Sequence, residues 1–203
     1  MKIALLGISG RVGSRLAEEL LKRGHTLTGI ARNVANIEEK PGLCLKEADA
    51  NQSEALAPLL AGHDVVISST NFAFTDPLAV ISAVKKAGAP RLMVVGGAGS
   101  LEVAPGMMLL DSPEFPDAYK PEAIGGIEFL KALNSEKELD WTFLSPAAEF
   151  DPGERTGRYR LGTDQLLIDA QGRSWISMED YAIAFVDELE EPKHSRQRFA
   201  VGY

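Results

Sequence analysis

Lys2-Ile-Ala-Leu-Leu-Gly7-Ile-Ser-Gly10-Arg-Val-Gly13 is the stretch from which the rest of the chain can be read. Lys2–Leu6 has the composition of a buried strand. Arg11–Arg23 reads as a helix with Val12, Leu16 and Leu20 on one face and Gly24 as its stop. The three glycines between them have separate tasks. Gly7 permits a tight turn, Gly10 lets the backbone approach a pyrophosphate, and Gly13 lets helix and strand pack closely. The helix N-terminus adds free N–H groups and a partial positive charge. This order of elements predicts a dinucleotide site built from Gly7, Ser9, Gly10, Arg11, Val12 and Gly13.

Outward from that site, strand and helix alternate. Thr26–Ala31, Leu43–Ala48, Asp64–Ser69, Arg91–Val95 and Trp141–Leu144 read as further strands. Asn51-Gln-Ser-Glu54 resembles a capping box for a helix ending at Gly62. Asp76-Pro77 starts a helix that runs to Gly88, and Pro121 opens one with Ile124, Ile127 and Leu130 facing inward. Such alternation implies parallel strands joined by right-handed crossovers, an α/β doubly wound Rossmann sheet. After Pro146 the rhythm changes. Arg158–Leu161, Gln165–Asp169 and Ser174–Ser177 suggest a small antiparallel C-terminal lobe, integrated into one domain over residues 1–203. Ser177–Asp180 caps a last helix, and Arg198–Tyr203 closes the chain as a strand. The irregular stretch Gly96–Pro121 lies over the carboxyl ends of the strands, where ligands bind in this architecture.

Thr26–Ala31 leads into Arg32-Asn33, and no Asp or Glu occurs between Gly24 and Asn36. An acidic residue there would accept from a ribose 2′-hydroxyl, whereas an Arg accommodates a 2′-phosphate. Arg32, with Arg11 able to reach the same phosphate, therefore points to NADP(H) rather than NAD(H). Asp49 would sit near the adenine, Ser69 and Thr70 would line the cleft, and Gly96 and Gly97 would end the fifth strand beside it.

Composition narrows the classes of function. The 203 residues are 45% hydrophobic and 25% charged, with a formal net charge of −8. That charge argues against nucleic acid and anionic membranes as partners and leaves a small-molecule acceptor. With the one cysteine, Cys44, there is neither an intramolecular disulfide nor a cysteine-based metal cluster. The three histidines suggest turn capping or packing, so no metal is expected. The first apolar stretch, Ile3–Leu6, is too short for a signal peptide or a span, so a cytoplasmic protein is expected.

Gly7-xx-Gly10-xx-Gly13, Arg23-Gly24-His25, Ala61-Gly62-His63-Asp64-Val65-Val66-Ile67-Ser68 and Val94-Val95-Gly96-Gly97-Ala98-Gly99-Ser100 together resemble the atypical short-chain dehydrogenase/reductase proteins. The subgroup most similar is that of the NAD(P)H-flavin reductases and biliverdin-reductase-B-like proteins, merging into the nitrogen-metabolite-repression-regulator-like group. Leu144-Ser-Pro-Ala-Ala, Pro152-Gly153-Glu-Arg-Thr-Gly157 and Ser177-xx-Asp180-Tyr181-Ala182 continue the likeness. The resemblance implies an NADP(H)-binding oxidoreductase that passes hydride to a flavin or another planar acceptor. A non-catalytic NADP(H) sensor and a nucleotide-sugar epimerase or dehydratase are the alternatives. Typical members of the superfamily use a Tyr-xxx-Lys pair. Here Tyr119-Lys-Pro-Glu-Ala123 has Ala at the Lys position, and Lys120, adjacent in sequence, does not share a face with Tyr119. Tyr119 and Arg155 are the candidates to orient an acceptor, with Met107, Met108 and Phe115 as an apolar wall.

Overall fold

Ile3 and Leu5 pack into one hydrophobic cluster and Ala4 and Leu6 into another, and all four are buried. A strand lying between two helical layers requires this pattern. The computed structural model describes residues 1–203. Its elements run β1 (Lys2–Leu6), α1 (Arg11–Lys22), β2 (Thr26–Ala31), β3 (Leu43–Glu47), α2 (Ser53–Leu60), β4 (Val65–Ser68), α3 (Pro77–Ala87) and β5 (Arg91–Val95). They continue through β6 (Glu102–Ala104), β7 (Met107–Met108), α4 (Lys120–Ser135), β8 (Asp140–Ser145), β9 (Glu149–Asp151), β10 (Arg160–Gly162), β11 (Trp175–Ser177), α5 (Met178–Glu190) and β12 (Gln197–Gly202).

Eight strands form the central sheet in the order β10-β12-β8-β5-β4-β1-β2-β3, parallel throughout except where β10 runs antiparallel to β12. The order reverses beside β1, as expected of a doubly wound sheet. Helices α1 and α5 cover one face, where Leu16, Leu20, Tyr181 and Phe185 are buried. Helices α2, α3 and α4 cover the other with Leu56, Val80, Val84 and Phe129. No helix is long and apolar enough to cross a membrane.

Helix ends follow local chemistry. Asp76 caps α3 by accepting from the Leu78 N–H at 2.9 Å, Pro77 occupies the first turn, and Gly88 ends the helix at φ 66°. Ser177 caps α5 through the Asp180 N–H at 3.0 Å. The expected capping box at Asn51 does not form. Gln52 holds the cap position of α2 without a side-chain bond, and the Asn51 amide instead donates to the Phe74 carbonyl and accepts from the Asp76 N–H, each at 2.8 Å.

Two further expectations are revised. Helix α4 buries Gly126, Phe129, Leu130 and Leu133, whereas Ile124 is exposed. The helix is rotated because Gly125 and Gly126 pack on Phe72; a Cβ on Gly125 would lie 2.5 Å from the Phe72 carbonyl oxygen. The pairing after Pro146 is also more mixed than the antiparallel lobe expected there. β10 joins the edge of the main sheet, β9 and β11 pair in parallel, and Gln165 makes a single bridge to Glu102. The small antiparallel ribbon is β6 with β7, inside the stretch expected to be irregular.

Candidate dinucleotide site

The carboxyl ends of β1, β4, β5 and β8 share one edge of the sheet, and the glycine loop fills the step from β1 to α1. Gly7 has φ +80°, and a Cβ there would lie 2.2 Å from the Ser69 carbonyl oxygen. A Cβ on Gly13 would lie 2.1 Å from the Gly7 carbonyl oxygen. Both positions are closed to side chains by backbone. Gly10 differs: its Cβ would meet the Gly7 oxygen at 3.2 Å and the Ser69 oxygen at 3.9 Å, with open space beyond. The backbone N–H groups of Arg11 and Val12, the first of α1, donate to no acceptor in the chain. An open Gly10 facing unpaired helix N–H groups is a cradle that fits a pyrophosphate.

The other predicted residues have distinct surroundings. Ser9 is exposed at the loop tip. Arg11 is also exposed, and its guanidinium donates to Asp151 at 2.7 Å. Arg32 is exposed at the end of β2 and forms no ion pair within the chain. Opposite Ala31 in the β2–β3 register stands Glu47, whose carboxylate accepts from the Val34 N–H at 3.3 Å. Asp49 shapes the turn after β3 by accepting from the Asn51 N–H at 2.9 Å. Beside the loop a cleft of about 580 Å³ opens between α1 and the segment joining β2 to β3, with Ser9, Ser14 and Asn33 among its lining. No helix lies between β2 and β3.

Ser69 abuts Gly7 through its carbonyl, and the Thr70 hydroxyl lies 3.1 Å from that of Ser68. Gly96 is fixed by packing: a Cβ would lie 2.4 Å from the Phe143 ring. Gly97, by contrast, meets the Phe72 ring only at 3.9 Å, leaving room beside it.

Tyr119 stands at the N-terminus of α4, 66% exposed and without a side-chain hydrogen bond. Lys120 is turned to Asp117 at 2.5 Å. Ala123 packs on Gly99, where a Cβ would lie 2.8 Å from the Ala123 Cβ. Glu122, passed over in the sequence, accepts from the Phe72 and Ala73 N–H groups at 3.0 Å each and fixes the turn after β4. Met107, Met108 and Phe115 are half-buried in their loop.

Arg155 is committed elsewhere. Its guanidinium donates twice to Glu19 on α1, at 3.0 and 2.9 Å. Glu19 is buried, which opposes its ionisation, but Arg155 and Arg23 outweigh burial and hold its carboxyl below the usual range. Arg155 thus ties the segment after β9 to α1 and does not reach into the cleft. The histidines are engaged in side-chain hydrogen bonds: His25 with Glu190 at 2.9 Å, His63 with Thr28 at 2.8 Å, and His194 with Glu188 at 2.8 Å.

Comparison with known proteins agrees with this geometry. The model of the NAD(P)H-binding family matches residues 7–192, so the chain belongs to that family. The uncharacterized protein YwnB of Bacillus subtilis is 43% identical, over 99% of this chain and 98% of that protein. A crystal structure from Bacteroides thetaiotaomicron, named an epimerase by inference, is 47% identical with a TM-score of 0.95, covering 100% of this chain and 96% of the other. Another from Streptococcus pneumoniae, named an NADH-flavin reductase by inference, is 36% identical with a TM-score of 0.85, covering 100% and 99%.

Proposed function

We propose that this member of the NAD(P)H-binding family is an oxidoreductase that carries hydride from NADPH to a flavin or a similarly planar, electron-poor acceptor. The observation that carries the reading is a pair of features on one sheet edge. The pyrophosphate cradle at Gly10 is open, while the position of a catalytic Lys is taken by Ala123, packed on Gly99. Bound NADPH supplies the hydride, and hydride transfer between two stacked rings asks the protein for placement rather than an acid–base pair. Gly7, Gly10, Gly13 and the Arg11 and Val12 N–H groups would hold the pyrophosphate. Arg32 would meet the 2′-phosphate, and Gly97 would leave room for the nicotinamide end. The relative named for flavin reduction supports this acceptor class. The relative named for epimerisation would favour that reaction class instead, but epimerisation calls for a positioned acid and base. NADPH consumption against a panel of flavins, quinones and sugar nucleotides tests the choice. Tight NADPH binding with no turnover on any of them would indicate a sensor.

Two substitutions sharpen the proposal. Arg32→Asp is expected to shift preference from NADPH to NADH, because a charge-assisted contact to phosphate is worth roughly 1.5–3 kcal/mol, about ten- to a hundredfold. Unchanged titrations with both dinucleotides would make Arg32 a surface charge. Tyr119→Phe is expected to lower kcat with a flavin by less than tenfold, since reduced flavin takes its proton from water. A positioned general acid would be worth about 10²- to 10⁴-fold. A hundredfold loss at unchanged NADPH affinity would therefore replace hydride transfer to a flavin with carbonyl reduction.

A further inference from the structure

We propose that Asp151 competes with a phosphate of the dinucleotide for the guanidinium of Arg11, and so sets how tightly the glycine loop holds its ligand. The inference rests on the cofactor reading above. Arg11 belongs to the first turn of α1, beside the unpaired N–H groups of the cradle. Asp151 ends β9, which follows β8, and in the sheet β8 is separated from β1 by β5 and β4. The ion pair therefore spans from the pyrophosphate loop to the chain leaving β8. Its one hydrogen bond, at 2.7 Å, occupies one amino group of Arg11 and leaves the remaining guanidinium donors free.

The pair can be exchanged because it is solvated. The two side chains are 64% and 73% exposed, and Asp151 makes no other side-chain hydrogen bond. An exposed pair of this kind shifts an equilibrium by about fivefold at most. The pyrophosphate as a whole and the 2′-phosphate each carry more charge and more acceptors than one carboxylate, so either displaces Asp151 at a modest cost in affinity. The surrounding segment does not depend on the pair. Glu179 accepts from Arg15 at 2.6 Å and from the Gly153 N–H at 2.7 Å, and Arg155 is doubly bonded to Glu19. Releasing Asp151 thus frees a guanidinium without freeing the loop. Asp151 then works as an internal anion that occupies Arg11 until a phosphate arrives.

The experiment is a titration of the full-length protein with NADPH and with NADH, for wild type, Asp151→Asn, Arg11→Gln and the double variant. Asp151→Asn is expected to bind two- to fivefold more tightly, with the gain shrinking at high salt. Arg11→Gln is expected to bind more weakly and to abolish the gain from Asp151→Asn. An equal gain for both dinucleotides assigns Arg11 to the pyrophosphate, and a gain confined to NADPH assigns it to the 2′-phosphate. A gain that survives in Arg11→Gln would overturn the competition and leave plain charge repulsion by Asp151. Unchanged affinity in Asp151→Asn, with the wild type still binding, would overturn it as well. Failure of the wild type to bind either dinucleotide would instead overturn the cofactor reading on which it rests.

Discussion

Gly10→Val is expected to give a folded protein whose affinity for NADPH has fallen at least about a hundredfold, or roughly 2.7 kcal/mol. The backbone at Gly10 has φ −76° and ψ 166°, an ordinary extended conformation that valine adopts without strain. Its Cβ would press on the Gly7 oxygen at 3.2 Å, a contact that a small shift relieves. Melting should therefore move by only a few degrees, since about 1 kcal/mol corresponds to roughly 2–4 °C in a chain of this size. The two methyl groups, however, would stand in front of the Arg11 and Val12 N–H groups and exclude a pyrophosphate. Gly13→Val is the internal contrast. With its Cβ 2.1 Å from the Gly7 oxygen, it has no such relief and should not fold stably. Circular dichroism separates the two outcomes, and fluorescence titration with NADPH decides the first. A folded Gly10→Val protein that still bound NADPH tightly would move the cofactor site away from this loop.

Glu188→Ala is expected to cost about 3–5 kcal/mol of stability, the usual result of stripping one partner from a buried ion pair. Glu188 is 5% exposed near the amino end of β5. Its Oε1 accepts from Arg91 at 3.0 Å and from the Lys193 and His194 N–H groups at 3.0 and 2.9 Å. Oε2 lies 2.8 Å from the His194 ring nitrogen. Without the carboxylate, the Arg91 guanidinium stays buried with Thr142 as its remaining side-chain hydrogen-bond partner and the half-exposed Asp140 carboxylate 3.5 Å from its Nε. The melting temperature should drop by about 6–20 °C. Replacing both partners, Arg91→Met with Glu188→Leu, should recover the part of the loss that comes from the stranded guanidinium, while the Lys193 and His194 N–H groups still lack their acceptor.

The dependence on pH has a definite sign. Burial opposes ionisation of Glu188, but the bonds from His194 and from the Lys193 and His194 N–H groups outweigh it, so its carboxyl lies below the ordinary 4.5. The stability it contributes is complete above that value and is lost as the pH falls through the lower folded value. The gap between wild type and Glu188→Ala should thus narrow from about pH 4.5 downward. A gap independent of pH would place the effect in packing rather than charge.

Much of this molecule is written locally in its sequence. Buried strands β1, β4 and β5 are short, mostly apolar runs followed by turn residues. The cradle's glycine spacing at positions 7, 10 and 13 is legible in the strand–turn–helix order, although the Ser69 carbonyl that closes Gly7 to a side chain comes from the end of β4. Asp76, Pro77 and Gly88 likewise bound α3 by their own chemistry. What the sequence left open depends on partners distant along the chain. The face of α4 that turns inward is chosen by Phe72 seated on Gly125 and Gly126, not by the spacing of Ile124 and Ile127. Asn51 was drawn from a helix cap to the Phe74 turn, and Arg155 from the cleft to Glu19, because stronger acceptors and donors lay across the fold. Arg11 carries no local sign of Asp151, which stands 140 residues away. Periodicity and glycine spacing report forces along one element. Which charged side chain meets which is decided when the sheet brings β8 and α1 to the same edge.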